Sequence, residues 1–157
     1  MSKYDIETFI DNLATYLKAN LGTQITAINT EKGDSALTIP DASSYALQTI
    51  NDKIINYDPF VLIGVDEIET TSIHGATSKK YKVLLAIIFE DGQNDDNGFR
   101  RVWRYQRSLE QTINPGFNSV NKHVKITIES LTPVDVTLVS RSAPSRATGV
   151  LLNVTIN

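Results

Sequence analysis

Several residue types are absent or scarce in this sequence of 157 residues, and each shortage excludes a kind of chemistry. Cysteine is absent, and the chain has two histidines, one methionine and one tryptophan. Without thiols there can be no disulfide bond, thiolate-bound metal or cysteine nucleophile. The composition suits a protein that is made in a reducing cytoplasm.

Long apolar runs and a strong excess of one charge are also absent. The longest apolar run, Val83 to Phe89, is too short to span a bilayer. The opening "MSKYD" leads into an amphipathic pattern, so we expect no signal peptide and no membrane partner. Basic residues number 15 against 18 acidic ones, and the net charge of −3 gives no general attraction to nucleic acid.

The patterning that is present predicts one globular domain over residues 1–157. Apolar residues recur three and four positions apart over residues 3–21, which predicts a helix with one buried face. Ser2 is its predicted N-cap and Gly22 its predicted end. Gln24–Ile28 is then expected to form a short edge strand.

The middle of the chain predicts two strands. Phe60–Glu69 follows a proline and is rich in β-branched residues, as strands are. Tyr81–Phe89 is apolar at nearly every position, as in a central strand covered on both faces. Between them, Thr70–Lys80 is predicted to be a long hairpin-like connection. The earlier segment Tyr45–Ile55 fits either a strand or a helix.

The C-terminal third alternates between apolar and polar residues and predicts three antiparallel strands with one buried face. Residues 141–149 are the predicted loop between the last two. The fold class expected is α+β, with a mixed, largely antiparallel sheet and two main helices packed against it. The inward-facing residues of the three strands are Val124, Ile126 and Ile128, then Val134, Val136 and Leu138, then Val150, Leu152, Val154 and Ile156.

The second main helix is predicted at residues 98–113 and is rich in arginine. On a helical wheel Arg100, Arg104 and Arg107 lie together, opposite the apolar face. They form either a solvated surface or a protein interface, where arginine and aromatic residues are over-represented. Duplex DNA is less favoured, because the acidic loop before the helix repels phosphate. Glu110 falls near the apolar face and calls for an arginine partner in this helix or in a neighbouring subunit.

No residue pattern predicts catalysis, so we expect a protein that is not an enzyme and has no cofactor. His74 and His123 have no adjacent carboxylate pattern. The acidic loop fails the EF-hand pattern, since Gln93 and Arg104 stand at its first and twelfth positions. We therefore expect its carboxylates to line a pore or face solvent without a metal. These carboxylates belong to Glu90, Asp91, Asp95 and Asp96.

The order of these features resembles that of a known family. An amphipathic helix is followed by "YDPFVLIGVDEIE" (57–69), "YKVLLAIIFE" (81–90), an acidic loop and "RVWRYQRSLEQTI" (101–113). This order is similar to that of the small tail-terminator, or tail-completion, proteins of long-tailed bacteriophages, and of the related neck proteins that join head to tail. The likeness covers most of the chain.

The resemblance implies a structural protein of the virion tail or neck, assembled in the host cytoplasm and without catalytic residues. It implies a homo-oligomer, a hexameric ring that caps the tail tube and contacts the tail-tube protein and the head–tail connector or stopper protein. DNA passes through its lumen without specific binding. The alternatives are a head-completion or stopper neck protein and a non-viral α/β adaptor domain.

The resemblance implies that the arginine helix takes part in assembly. Its charged side chains are expected to pair with acidic groups of a neighbouring subunit or ring. We then expect reversal of Arg104 and Arg107 to leave the monomer intact and to abolish assembly. The expected interface residues are Arg100, Arg101, Arg104, Arg107 and Glu110.

Overall fold

The computed structural model of the chain describes residues 4–90, 96–117, 124–136 and 144–156. Three α-helices and six β-strands lie in these ranges. In chain order they are α1 (Ile6–Lys32), β1 (Tyr45–Leu47), α2 (Asp52–Ile55), β2 (Phe60–Ile73), β3 (Ala76–Glu90), α3 (Asp96–Thr112), β4 (Val124–Ser130), β5 (Val134–Val136) and β6 (Ser145–Ile156).

The strands form one mixed sheet in the order β1-β2-β3-β6-β4. β1 runs parallel to β2, and the other pairings are antiparallel. β5 pairs with the start of β6, on the edge that β4 occupies farther along. The buried residues of α1 and α3 share one core with those of β2, β3 and β6. The predicted α+β class, with two main helices packed against a largely antiparallel sheet, is confirmed.

The first helix, α1, is longer than the sequence pattern predicts. Its N-cap is Asp5 rather than Ser2, and the Asp5 carboxylate accepts a hydrogen bond from the backbone N–H of Thr8 at 2.9 Å. The helix ends at Gly33, whose φ of 68° lies in the left-handed region that favours glycine. The predicted helix, 3–21, ends at Gly22, whereas the observed helix continues to Lys32 and ends at the next glycine, Gly33.

The edge strand predicted at Gln24–Ile28 is wrong, because these residues belong to α1. Ile25 and Ile28 continue the buried face of the helix at helical spacing. Gly22 lies inside the helix, where a Cβ would stand 3.2 Å from the side chain of Ile39. This glycine therefore permits close packing and does not end the helix.

The segment Tyr45–Ile55, which fits either element type, contains both. It supplies β1, beside β2, and the short helix α2. Ala46 and Ile54 from these elements pack with Phe60 and Ile88 in a small cluster separate from the main core.

The predicted hairpin-like connection at Thr70–Lys80, centred on His74 and Gly75, is a hairpin, but both of its strands continue up to the turn instead of ending at Glu69 and Tyr81. The two strands pair in antiparallel register as far as Ile73 and Ala76. His74 and Gly75 form the turn, with φ of 51° and 79°. Two consecutive residues with positive φ give the turn whose twist matches that of hairpin strands.

The central strand is β3, as the sequence predicts. Its residues from Val83 to Phe89 are buried except Leu84, which is half-buried. Leu85 and Ile87 lie in the main core, and Ile88 lies in the smaller cluster. Both faces of the strand are therefore covered along this stretch.

The last strand, β6, starts at Ser145, inside the predicted loop 141–149, so the end of that loop is predicted wrongly. Residues 137–143 lie outside the described part of the chain. Within β6, a Cβ at Gly149 would overlap the carbonyl oxygen of Leu85 on β3. The glycine allows the two central strands to approach closely at this point.

A polar contact that apolar periodicity does not reveal joins α3 to the sheet. Gln106 is buried, and its Nε2 donates to the carbonyl oxygens of Leu131 and Gly149 at 2.8 and 2.9 Å. The Tyr105 hydroxyl accepts from the N–H of Thr38 at 2.9 Å, and burial raises the pKa of Tyr105 to about 12. Hydrogen bonds as well as apolar contacts thus fix how α3 is rotated.

We expect Gln106→Leu to destabilise the protein by roughly 1–3 kcal/mol, because two carbonyl oxygens lose their shared donor. Gln111→Leu is the matched control, since Gln111 is an exposed residue of the same helix. The measurement is chemical denaturation of both variants. Equal midpoints for the two would contradict the anchoring role of Gln106.

Candidate functional site

The first candidate surface is the end of the β2–β3 hairpin, residues 66–80, which we call the hairpin arm. All of its residues are exposed. β1 pairs with β2 only as far as Ile63, and β6 pairs with β3 only from Lys79 onward. The arm therefore extends beyond the covered part of the sheet and buries none of its side chains.

The two strands of the arm have opposite charge. Its β2 strand carries Asp66, Glu67 and Glu69, and β3 places Lys80 opposite Glu69. Just below the arm, Lys82 lies 3.4 Å from Glu67. Exposed pairs of this kind contribute little to stability. The β2 strand thus presents an acidic outer edge.

Two large apolar side chains are exposed on the arm, Ile68 at 58% and Ile73 at 62%. An isolated two-stranded ribbon is only marginally stable in water. Side chains of a strand alternate, so Ile68 and Ile73 lie on opposite faces of the arm, and contacts with other surfaces on both faces would bury them and support the ribbon. The sequence predicts a hairpin-like connection here but not this surface, because a polar stretch without buried positions does not show that both strands continue to the turn.

The second candidate surface is the outer side of α3, where four basic residues and the tryptophan line a shallow, open depression. Arg100 is exposed, and Trp103 is 49% exposed. We call this the arginine surface. Its residues are Lys32, Arg100, Trp103, Arg104 and Arg107.

Two of these arginines pair with acidic residues of their own chain. Arg104 lies 2.8 Å from Asp34, and Arg107 makes two hydrogen bonds to Glu31, at 2.6 and 3.1 Å. The Arg104 side chain is only 13% exposed. The prediction that the acidic partners belong to a neighbouring subunit is therefore wrong for this pair of arginines. They also connect α3 to the end of α1, so reversing both charges would break contacts within the monomer.

The pairing shifts the ionisation of both carboxyl groups. The hydrogen bonds from Arg107 lower the pKa of Glu31 below its ordinary value. The hydrogen bond from Arg104, followed by that from the backbone N–H of Ala36, lowers the pKa of Asp34. Both carboxylates are thus held in their charged form.

The remaining predicted interface residues lie away from the depression. The guanidinium of Arg101 lies 5.5 Å from the ring centre of Phe89, in a cation–π contact. Glu110 accepts a hydrogen bond from the hydroxyl of Ser130 at 2.6 Å. Its partner is therefore a serine on β4 and not the arginine that the sequence analysis predicts. A helical wheel contains only residues of the helix, so it cannot show a partner on a strand.

The structure describes the acidic loop only at its two ends. Glu90 is the last residue of β3, and its N–H donates to the carboxylate of Asp58 at 2.9 Å. Asp96 is the first residue of α3. Asp91 and Asp95 lie outside the described residues. That these carboxylates face a lumen or solvent stays a prediction.

The described residues contain no cluster of three or more histidine, cysteine, aspartate or glutamate side chains that could hold a metal ion. His74 occupies the hairpin turn, and His123 lies outside those residues. None of the helices in the described ranges combines the length and the apolarity needed to cross a membrane.

No protein-family model matches this sequence, and no curated protein matches it.

The ion pairs on α3 predict how stability depends on pH. Because the folded pKa values of Glu31 and Asp34 are lowered, their contribution is present near neutrality and is lost as pH falls from about 5 toward 2. Arg107→Gln should weaken this acid dependence. The measurement is the free energy of unfolding between pH 7 and 2, with Lys53→Gln, which removes an exposed positive charge on α2, as control.

An Arg107→Gln variant that keeps the acid dependence of the wild type would contradict the stabilising role of the pair.

Proposed function

We propose that this chain is a structural virion protein, a tail terminator whose copies form a hexameric ring at the end of the tail tube. The ring contacts the tail-tube protein on one side and the head–tail connector or stopper on the other, in the virion tail or neck, after assembly in the host cytoplasm. The observation that carries the proposal is the hairpin arm, in which every residue from 66 to 80 is exposed.

The arm is suited to binding another subunit because none of its side chains is buried in the core of its own subunit. Ile68 and Ile73 lose contact with water only if a second surface covers them. A contact between this arm and a different surface of an identical subunit is head-to-tail. Contacts of this kind produce a closed ring when the rotation between successive subunits adds up to a full turn.

The arrangement of the other elements also supports a ring protein of this family. A largely antiparallel sheet with two helices against it is the fold that the resemblance implies, and the arginine helix follows the long central strand. Since Arg104 and Arg107 are engaged within the chain, the contact to tube or connector falls to Arg100 and Trp103. Arginine and tryptophan are over-represented at protein interfaces.

In this proposal the protein has a mechanical role and no catalytic residue or cofactor. The acidic loop lies at the opening of the ring, where sixfold repetition produces a band of negative charge. Repulsion between these carboxylates and the phosphates lets DNA pass without specific binding. The loop carboxylates are those of Glu90, Asp91, Asp95 and Asp96.

We expect native mass spectrometry to give a particle of six times the 17.4 kDa chain mass, and negative-stain images to show a ring. Added to growing tubes of the tail-tube protein from the same phage, the ring should shorten them. A chain that stays monomeric at high concentration would contradict the proposal and favour an adaptor domain. A ring that leaves tube length unchanged would contradict the terminator role and favour a neck protein.

We also expect no tight binding to duplex DNA, because the chain is acidic overall and part of its arginine surface is neutralised internally. Fluorescence anisotropy with labelled duplex, measured from low to moderate salt, checks this. Tight binding that falls steeply with salt would show that phosphate is a ligand and would overturn the expectation.

A further inference from the structure

The outer edge of β2 is unpaired along the hairpin arm. β1 pairs with Val61–Ile63, and the side-chain amide of Gln48 then binds both the N–H and the carbonyl of Val65, at 2.7 and 3.1 Å. Beyond this point, from Asp66 to Ile73, no residue of the described ranges pairs with that edge. Backbone donors and acceptors are therefore available to another strand.

The opposite edge of the sheet is formed by β4, which pairs with β6 on one side. Within the described part of the chain, no strand pairs with its other side. Val124, Ile126 and Ile128 pack against the margin of the main core, and Lys125 on the other face is exposed. Among the described residues, the sheet thus has two different stretches of edge that no other strand covers, one on the arm and one on β4.

The two edges match when a second copy is placed beside the first at the same height. Three successive antiparallel pairings separate β2 from β4, so the two strands run in opposite directions. Residues that pair across neighbouring strands form rows that run across the sheet. A residue on the β2 edge and a residue on the β4 edge lie at the same height when they belong to the same row. One row consists of Glu69, Lys80, Thr155 and Lys125, and the next consists of Ile68, Tyr81, Val154 and Ile126.

At this height Lys125 of one copy faces Glu69 of the next, on the same face of the joined sheet. Ile126 faces Ile68 on the other face. A lysine opposite a glutamate and two β-branched residues opposite each other are favourable cross-strand pairs. A slip by one residue would exchange the faces and lose both pairs.

We infer that β4 of one copy adds antiparallel to the outer edge of the hairpin arm of the next copy, so that the sheet continues from subunit to subunit. The inference rests on the proposed ring and names the contact that closes it. Backbone hydrogen bonds supply the binding, and the Glu69–Lys125 and Ile68–Ile126 pairs set the register.

Pairing between two fully overlapping arms would place Ile68 opposite Thr71 and Glu69 opposite Thr70, so it would lack both the charge pair and the apolar pair. Pairing between two β4 strands would place Lys125 opposite Glu129, yet Glu129 already accepts a hydrogen bond from Asn153 at 3.0 Å. That arrangement is twofold, ends at a dimer and leaves the arms uncovered.

The absence of cysteine allows a direct test by cross-linking. Glu69→Cys combined with Lys125→Cys should, on mild oxidation, give a ladder of covalent oligomers that ends at the ring. Each single variant should give no ladder, and an equimolar mixture of the two should stop at dimers. The two positions of one chain are three strand spacings apart, about 14 Å, which is too far for a disulfide within the chain.

Thr70→Cys with Lys125→Cys is the matched control, because a shift of one residue puts the thiols on opposite faces. Its yield should be far below that of the Glu69 pair. Native mass spectrometry of the reduced variants separates the two proposals. Rings without a Glu69–Lys125 cross-link would overturn this contact and leave the proposed function standing, whereas the lack of any oligomer would overturn both.

A Thr127→Cys single variant that cross-links into dimers would also overturn the inference, since it would indicate twofold pairing of β4 strands. A charge exchange gives a second measurement. Glu69→Lys alone should lower the fraction of chain in rings, and adding Lys125→Glu should restore it. Failure of the second change to restore assembly would contradict the pairing of these two residues.

Discussion

The register of β3 between β2 and β6 is the constraint on which the rest of the structure depends. Side chains of a strand alternate between its faces, so this register decides that Leu85 and Ile87 meet the helices while Glu69 and Lys80 share the other face. Gly149 on β6 allows the close approach that this pairing requires. A slip of one residue would bury the polar row and expose the core.

The charged groups divide between stability and association. Arg104 and Arg107 bind acidic residues at the end of α1, and the hydrogen bonds lower the pKa values of those carboxyls. In the proposed contact between copies, the paired charges lie instead on the sheet edges, with Glu69 on the arm and Lys125 on β4. The helices thus hold the domain together, and the proposed contacts between copies belong to the sheet.

The sequence pattern predicts well the elements that bury one face. The periodicity of α1, the apolar run of β3 and the alternation of β6 each contain a repeated burial signal, and all three elements exist. The errors have physical causes. Gly22 resembles a helix end, yet it lies against Ile39, a contact that becomes visible only in three dimensions. The arm has no buried face, so apolar periodicity could not reveal that its strands continue.

By itself, therefore, the sequence determined the α+β class, the central strand and the position of the arginine helix, because side-chain polarity repeats with the period of each element. Only the tertiary structure decided which partners the charged residues take. Glu31 is 76 residues from Arg107 in the sequence, and Asp34 is 70 residues from Arg104. Ser130 belongs to β4, whereas Glu110 belongs to α3. Such contacts depend on how distant segments pack together, and the spacing of residues within one element carries no information about that packing.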